Sequence, residues 1–377
     1  MNGAVSASGA VPTQPRQFVL INVLKAGAAQ LIVLHHLAFY GPMSDHARTI
    51  MPALMDWLYD YARIAVQVFL VVGGFLAAKS LSPREQAGVD HPLKTIWRRY
   101  LKLAPPFIVA MLLAVLASAV AGAWMTDDAI SAPPTIGQLG AHLLLLHGVL
   151  GYESLSAGAW YVAIDFQLYA LMAVLIWLAS RVSDKKKRVW LSPALVAIGV
   201  GVSLLYFNRD ADWDIWAPYF FGSYGLGALA WWASDPLRPL QARKLLLLVM
   251  ASTAVLALML DFRSRIALAA VVACVLFVSG RARLSSCAGS TLSLANSLAN
   301  ISFSVFLVHF PVCLVVNAFF SRFVTQQPQL QACGLLLAWG ASVWVGKVFF
   351  ECVEQPLGRM FTFSSQPVVF HALAKKM

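Results

Sequence analysis

The stretch VLINVLKAGAAQLIVLHHLAFYGP, residues 19–42, decides the fold class of this chain. A helix rises 1.5 Å per residue, so about 20 apolar residues cross the hydrocarbon core of a bilayer. The stretch is long and apolar enough to do so, and it carries His35 and His36 near its far end. Ionisable side chains inside such a span are costly and commonly functional, which makes the pair a candidate site. A histidine satisfied by a neighbouring helix is the alternative, and this segment alone does not separate the two.

The composition of the whole chain indicates the same class. Of 377 residues, 59% are hydrophobic and only 12% are charged, whereas a soluble domain carries about 25% charged residues. We therefore predict an all-α polytopic membrane protein. The net charge of +11 does not indicate a nucleic-acid partner, because the basic residues lie in short loops where they set topology. Five scattered cysteines without metal-ligand spacing predict neither a disulfide framework nor a metal site.

Loops rich in Lys and Arg alternate along the chain with loops that carry Asp. The positive-inside rule places the basic loops in the cytoplasm, together with both termini. This alternation predicts about ten transmembrane helices. Their expected bounds are 19–41, 60–80, 103–124, 158–180, 190–207, 215–233, 244–261, 266–280, 299–320 and 332–353.

One apolar segment, 138–151, is too short to cross a bilayer. Segments of 10 to 14 residues are more often re-entrant or interfacial, and counting it as a span would break the charge alternation, so we place it at the outer face. The predicted organisation is a flexible cytoplasmic N-terminus (1–18), one membrane domain (19–360) and a cytoplasmic tail (361–377).

The depths of His36 and Asp165 below the outer membrane boundary suggest that the two side chains pair. Counted from the outer ends of their spans, both lie about 8 to 10 Å below the same boundary. A carboxylate at that depth could hold the imidazole in one tautomer, as general-base catalysis requires. The alternative is a structural polar bridge between two helices.

The segment WRRYLKLAPP, residues 97–106, forms a second constellation. At helical spacing Lys102 shares a face with Arg98 and Arg99. Clustered cations at a cytoplasmic entrance suit a phosphate-bearing ligand, to which Arg makes bidentate contacts. Juxtamembrane cations are also common topology anchors and bind anionic lipid, which is the alternative here.

Six segments, in order, resemble the acyltransferase-3 family of integral membrane acyltransferases over about 19–360. His36 falls on the family's histidine, and Arg99 and Lys102 fall on its two basic positions. Asn22, Lys25, Gln67, Gly73, Lys102 and Asp165 depart from its usual residues, which indicates a divergent branch. The matching segments are LINVLKAGAAQLIVLHH (20–36), AVQVFLVVGGFL (65–76), RRYLKLAPPF (98–107), WYVAIDFQLY (160–169), ISFSVFLVHFPV (301–312) and VEQP (353–356).

The resemblance implies a membrane-bound O-acyltransferase, most simply an O-acetyltransferase. Acetyl-CoA from the cytoplasm would be the donor, and a hydroxyl of a cell-surface or exported glycan the acceptor, without a metal. His36 would act as general base, with Asp165 orienting the imidazole or carrying its proton. The residues expected to contact the phosphates of the coenzyme are Arg98, Arg99 and Lys102, and the second-line candidates are His35, His309 and Glu354.

The resemblance also implies a location and partners. The expected location is the bacterial inner (cytoplasmic) membrane, and the expected partners are membrane lipid, the hydroxyl acceptor and surface-polysaccharide synthesis machinery, with no nucleic acid. His36 lies about 25 Å of helix rise above Val19, so the coenzyme must reach deep into the bundle or the acyl group must be relayed.

Two other functions stay open at this point. A transporter or flippase of a glycan or lipid-linked intermediate would use the histidines to line a path, although no inverted repeat is visible in the sequence. A structural subunit with a degenerate site would account for the departures at Asn22, Gln67 and Gly73.

Overall fold

A computed structural model describes residues 16–82, 89–279 and 290–363, and this part of the chain is helical without strands. Residues 1–15 and 364–377, which hold most of the predicted flexible N-terminus and tail, lie outside it. The helices are α1 (Arg16–Phe39), α2 (Pro42–Arg48), α3 (Pro52–Asp60), α4 (Val66–Leu81), α5 (Pro92–Gly122), α6 (Ile136–Leu143), α7 (Ala159–Ser180), α8 (Lys185–Leu205), α9 (Ala217–Ser234), α10 (Leu240–Leu260), α11 (Ser264–Ser279), α12 (Ser290–Phe323), α13 (Pro328–Phe349) and α14 (Gln355–Phe363).

Within the described residues, eight helical segments are long and apolar enough to cross a membrane. The other two predicted spans fall on α9 and α11, and α11 has only 16 residues. The all-α polytopic class is therefore confirmed, whereas the count of ten and the cytoplasmic termini stay predictions. The eight segments are Val19–Phe39, Ala62–Leu81, Pro92–Gly122, Ala159–Ser180, Val189–Arg209, Leu240–Leu260, Ser293–Phe323 and Pro328–Met360.

Helix α9 is the central helix of its half of the bundle, packed by α4, α8, α10 and α11. Nearly all its side chains are buried. A Cβ on Gly227 would lie 1.9 Å from the Val71 carbonyl oxygen, and one on Gly74 would lie 1.7 Å from that of Tyr224. Helices α4 and α9 thus meet backbone to backbone, which is how small residues hold membrane helices together.

We expect Gly227→Ala to separate α4 from α9 and to lower the free energy of unfolding by about 3 kcal/mol. The added methyl group would clash with the backbone of Val71, which cannot move without shifting α4. Thermal unfolding in detergent measures the loss. Gly27→Ala is the matched control, since a Cβ there has no neighbour within 4 Å. An unchanged melting temperature for Gly227→Ala would contradict this packing.

Helices α5 and α12 begin earlier than predicted, at Pro92 and Ser290 instead of 103 and 299. With 31 residues, α5 is about 46 Å long, well beyond the roughly 30 Å of a hydrocarbon core. The helix therefore includes the basic segment 97–102 and continues through Pro105 and Pro106. The prediction placed the helix start at the hydrocarbon boundary, but a helix continues wherever its backbone hydrogen bonds and packing allow.

The apolar segment 138–151 folds as α6 and the turns that follow it. Tyr100 Oη donates a hydrogen bond to the Leu143 carbonyl at 2.8 Å, and the ring of Phe107 lies parallel to that of His142. Phe107 is 15 residues before the end of α5, a rise of about 22 Å. These contacts bring the segment alongside the middle of α5, as expected of a re-entrant segment, and the side of the membrane from which it enters stays a prediction.

Candidate active site

The two adjacent histidines of α1 face different partners, because successive helical residues point about 100° apart. His35 is buried and donates from Nδ1 to the Leu58 carbonyl at 3.0 Å, which fixes α3 against α1. His36 instead faces α12, where its Nδ1 lies 2.6 Å from Nε2 of His309. The two rings are parallel within 4°. His35 is therefore a packing residue, and His36 belongs to a histidine pair.

The hydrogen bonds of this pair fix its tautomers. His309 is fully buried, and its Nδ1 lies 3.1 Å from the Val305 carbonyl, which can only accept a hydrogen bond. Nδ1 of His309 thus carries the proton, and its Nε2 is left as an acceptor. His36 must then donate from Nδ1, so in the neutral pair Nε2 of His36 is unprotonated. A bare ring nitrogen held in one orientation is the state that a general base needs.

His36 opens onto a cavity of about 1480 Å³. Side chains of α1, α4, α7 and α12 line its inner part, and the segments that connect the helices line its rim. Those connecting segments are the ones that the charge pattern places outside the membrane. His36 thus lies in the wall of a wide cavity that a large ligand can enter from the predicted outer side.

Asp165 pairs with Arg99 and not with His36, which corrects the pairing expected from depth. Arg99 Nη2 donates to Asp165 Oδ2 at 2.6 Å, and the guanidinium lies over the ring of Tyr169. Depth along two helices does not show which helices are neighbours, and α7 packs on α5 at this level. The side chain that lies next to the His36 imidazole is that of His309 and not that of Asp165.

The same contact bears on the expected role of Arg99. Its Nη2 is bound to Asp165 between α5 and α7, whereas its Nε has no hydrogen-bond partner among the described residues. Arg98 and Lys102 are exposed. Binding of a coenzyme phosphate by these three cations stays a prediction.

Glu354 and Lys25 join Lys102 at the predicted inner side of the bundle, close enough for these charges to interact. A π-helical turn, Phe350–Glu354, follows α13, and Glu354 accepts a hydrogen bond from the Ser304 hydroxyl at 2.5 Å. Single π-helical turns occur often at functional sites. Ser304 precedes His309 by five residues on α12, a rise of about 8 Å. The inner charges therefore lie near the histidine pair.

Two of these residues have partners that the sequence did not show. His309 is a second-line candidate in the sequence, although a second histidine at mid-span already signals a polar partner inside the bundle. Lys25 stands out in the sequence only as a departure from the family pattern. Both positions needed the neighbouring helix to show their partners.

Fold and site together define a polytopic membrane protein with a buried histidine pair that is open to a large cavity. The family model described as an acyltransferase domain matches residues 18–347. The chain therefore belongs to the acyltransferase-3 family, as its sequence segments suggested, and this membership indicates an enzyme that transfers acyl groups. Neither a curated protein nor a solved structure matches the chain.

Proposed function

We propose that this protein is an O-acyltransferase of the bacterial inner membrane that moves an acetyl group from cytoplasmic acetyl-CoA to a hydroxyl of an exported or cell-surface glycan. The observation that carries the proposal is the fixed tautomer of His36, whose bare Nε2 belongs to a residue of the cavity wall. Family membership supplies the reaction class.

In the proposed reaction Nε2 of His36 accepts the proton of the acceptor hydroxyl while the oxygen attacks the thioester carbonyl carbon. The tetrahedral intermediate collapses, the carbon–sulfur bond breaks, and the CoA thiolate leaves and takes the proton from Nε2 of His36, which restores the base. His309 accepts the hydrogen bond from Nδ1 of His36 and stabilises the imidazolium that forms, a role similar to that of the carboxylate in a catalytic triad. His309 is thus a positioning residue.

The donor enters in this proposal from the predicted inner side. Arg98, Lys102 and Lys25 would attract the phosphates of CoA, because they are exposed or half-buried cations and charge-assisted hydrogen bonds to phosphate are strong. Lys25 precedes His36 by 11 residues on α1, a rise of about 16 Å. That is less than the roughly 25 Å counted from Val19, and in this proposal the extended pantetheine arm spans the distance without an acyl relay.

Membranes that contain the protein, incubated with acetyl-CoA labelled in the acetyl group, test the proposal. We expect the label to appear on saccharide as an alkali-labile ester. A transporter would instead carry label across the membrane without forming an ester, and that result would contradict an enzyme. Membranes without the protein are the control for background esterification.

A further inference from the structure

The re-entrant segment holds two stacked histidines. Both ring nitrogens of one are hydrogen-bonded, and neither ring nitrogen of the other has a partner among the described residues. The rings of His142 and His147 are parallel, with centroids 4.0 Å apart. His142 donates from Nδ1 to the Gln138 carbonyl at 2.8 Å and accepts at Nε2 from the Leu155 amide at 3.1 Å. Its hydrogen-bonding capacity is complete, so His142 is a structural support for the ring stacked on it.

His147 is 1% exposed, and neither of its ring nitrogens has a hydrogen-bond partner among the described residues. Burial, with a smaller contribution from His142, lowers the pKa of its imidazole from 6.5 to about 3, so the ring is neutral at pH 7. A neutral imidazole offers one donor and one acceptor. Leaving both unpaired in the protein interior is costly, and an unsatisfied group of this kind calls for a partner.

The partner can come from the cavity, because His147 lines the same cavity as His36. Beside it, Gly151 leaves open space, since a Cβ there would meet nothing within 4 Å. Gln167, also on the cavity wall, donates to the Leu145 carbonyl at 3.1 Å and so holds the turn that carries His147. The ring thus lies in the cavity wall beside open space, with both nitrogens covered, and a ligand that binds them displaces the atoms that cover them.

The cavity lining carries more acidic than basic side chains. Its lining includes four carboxylates and three guanidinium groups, and one of these, Arg263, is paired with Asp261 outside the lining at 2.6 Å. The lining is therefore negative, although the whole chain carries a net charge of +11. Like charges repel, so this lining disfavours a polyanionic ligand, and because the four carboxylates are exposed the effect weakens as salt rises. The lining carboxylates belong to Asp60, Asp128, Glu153 and Asp214.

Aromatic rings supply the apolar part of the cavity wall. Tyr61 and Tyr152 are exposed at the rim, and Trp160 lies deeper beside Phe220. Ligand sites commonly combine such rings with a few fixed polar groups. A sugar ring fits this arrangement, since its C–H face packs on aromatic rings while its hydroxyls donate and accept hydrogen bonds.

We propose that His147 binds the acceptor, with its two ring nitrogens hydrogen-bonded to hydroxyls of an uncharged sugar. The cavity to which the re-entrant segment contributes would then make the enzyme select neutral over polyanionic glycans. The inference rests on the proposed function for the statement that this ligand is the acceptor. Binding itself requires no turnover and can be measured separately.

The test uses the full chain in nanodiscs with His36→Gln in every sample, so that no probe is consumed. The probes are a fluorescent neutral hexasaccharide of glucose and a matched hexasaccharide of galacturonic acid. We expect the neutral probe to bind more tightly than the acidic one. His147→Phe keeps the stacked ring but removes both nitrogens, and we expect it to weaken neutral-probe binding about tenfold or more.

His91→Phe is the matched control, because His91 is exposed at the start of α5, away from the cavity lining, and it should leave binding unchanged. His147→Gln, which retains a donor and an acceptor, should bind better than His147→Phe and serves as well if the latter does not fold. Tighter binding of the acidic probe, equal affinity with and without the His147 nitrogens, or no binding of the neutral probe would overturn the proposal. Acyl transfer that persists in His36→Gln would contradict the proposed function and leave this binding result intact.

Discussion

Replacing His36 by glutamine is expected to lower the acyl-transfer rate by roughly 10²–10⁴-fold while the amount of folded protein in the membrane stays unchanged. That range is the usual contribution of a positioned general base. Glutamine can still donate to Nε2 of His309 but has no nitrogen that takes a proton at neutral pH. The measurement is the initial rate of label transfer from acetyl-CoA, compared at equal amounts of protein.

The neighbouring histidine provides the control for this variant. His35→Asn keeps a donor for the Leu58 carbonyl, so we expect its rate to fall less than tenfold. A second comparison tests the tautomer: His309→Gln offers an amide oxygen to Nδ1 of His36 and should retain more activity than His309→Phe, which offers none. Full activity in His36→Gln would remove the basis of the proposed mechanism.

Breaking the ion pair of Arg99 and Asp165 by Arg99→Met is expected to cost about 3 kcal/mol of stability, because it leaves the buried Asp165 carboxylate without its partner. Asp165→Leu should cost less, because the Arg99 side chain is 28% exposed and reaches water. The double variant removes both charges, so it should recover most of the loss. Unfolding in detergent, followed by helical signal, measures all three variants.

The double variant also separates the two roles considered for Arg99. If the guanidinium serves only Asp165, the double variant should fold and should keep its KM for acetyl-CoA within about threefold. Lys102→Met is the comparison, and we expect it to raise that KM by roughly fivefold or more, since a hydrogen bond to a charged group is worth about 1.5 kcal/mol or more. A higher KM for acetyl-CoA in the folded double variant would show that Arg99 contributes to donor binding.

Much of the architecture follows from the sequence, because the hydrocarbon core imposes a simple rule. Every backbone polar group inside it must be paired, so long apolar segments become helices. The positions of α1, α4, α7 and α10 agree with their predicted spans within a few residues. The first residues of α5 and α12 do not agree, because outside the hydrocarbon the rule no longer fixes where a helix begins.

The sequence supplied candidate residues for the site but not their pairs. Ionisable side chains inside spans are few, so the sequence by itself determined that His36, His309 and Asp165 are among the polar groups to consider, together with the membrane class of the chain. Arg99 was a candidate from the basic segment that precedes a predicted span. Only the tertiary structure decided that His36 meets His309 and that Arg99 meets Asp165. The reason is that helical periodicity gives each side chain a depth and a face along its own axis, whereas the neighbour on that face is set by how separate helices pack.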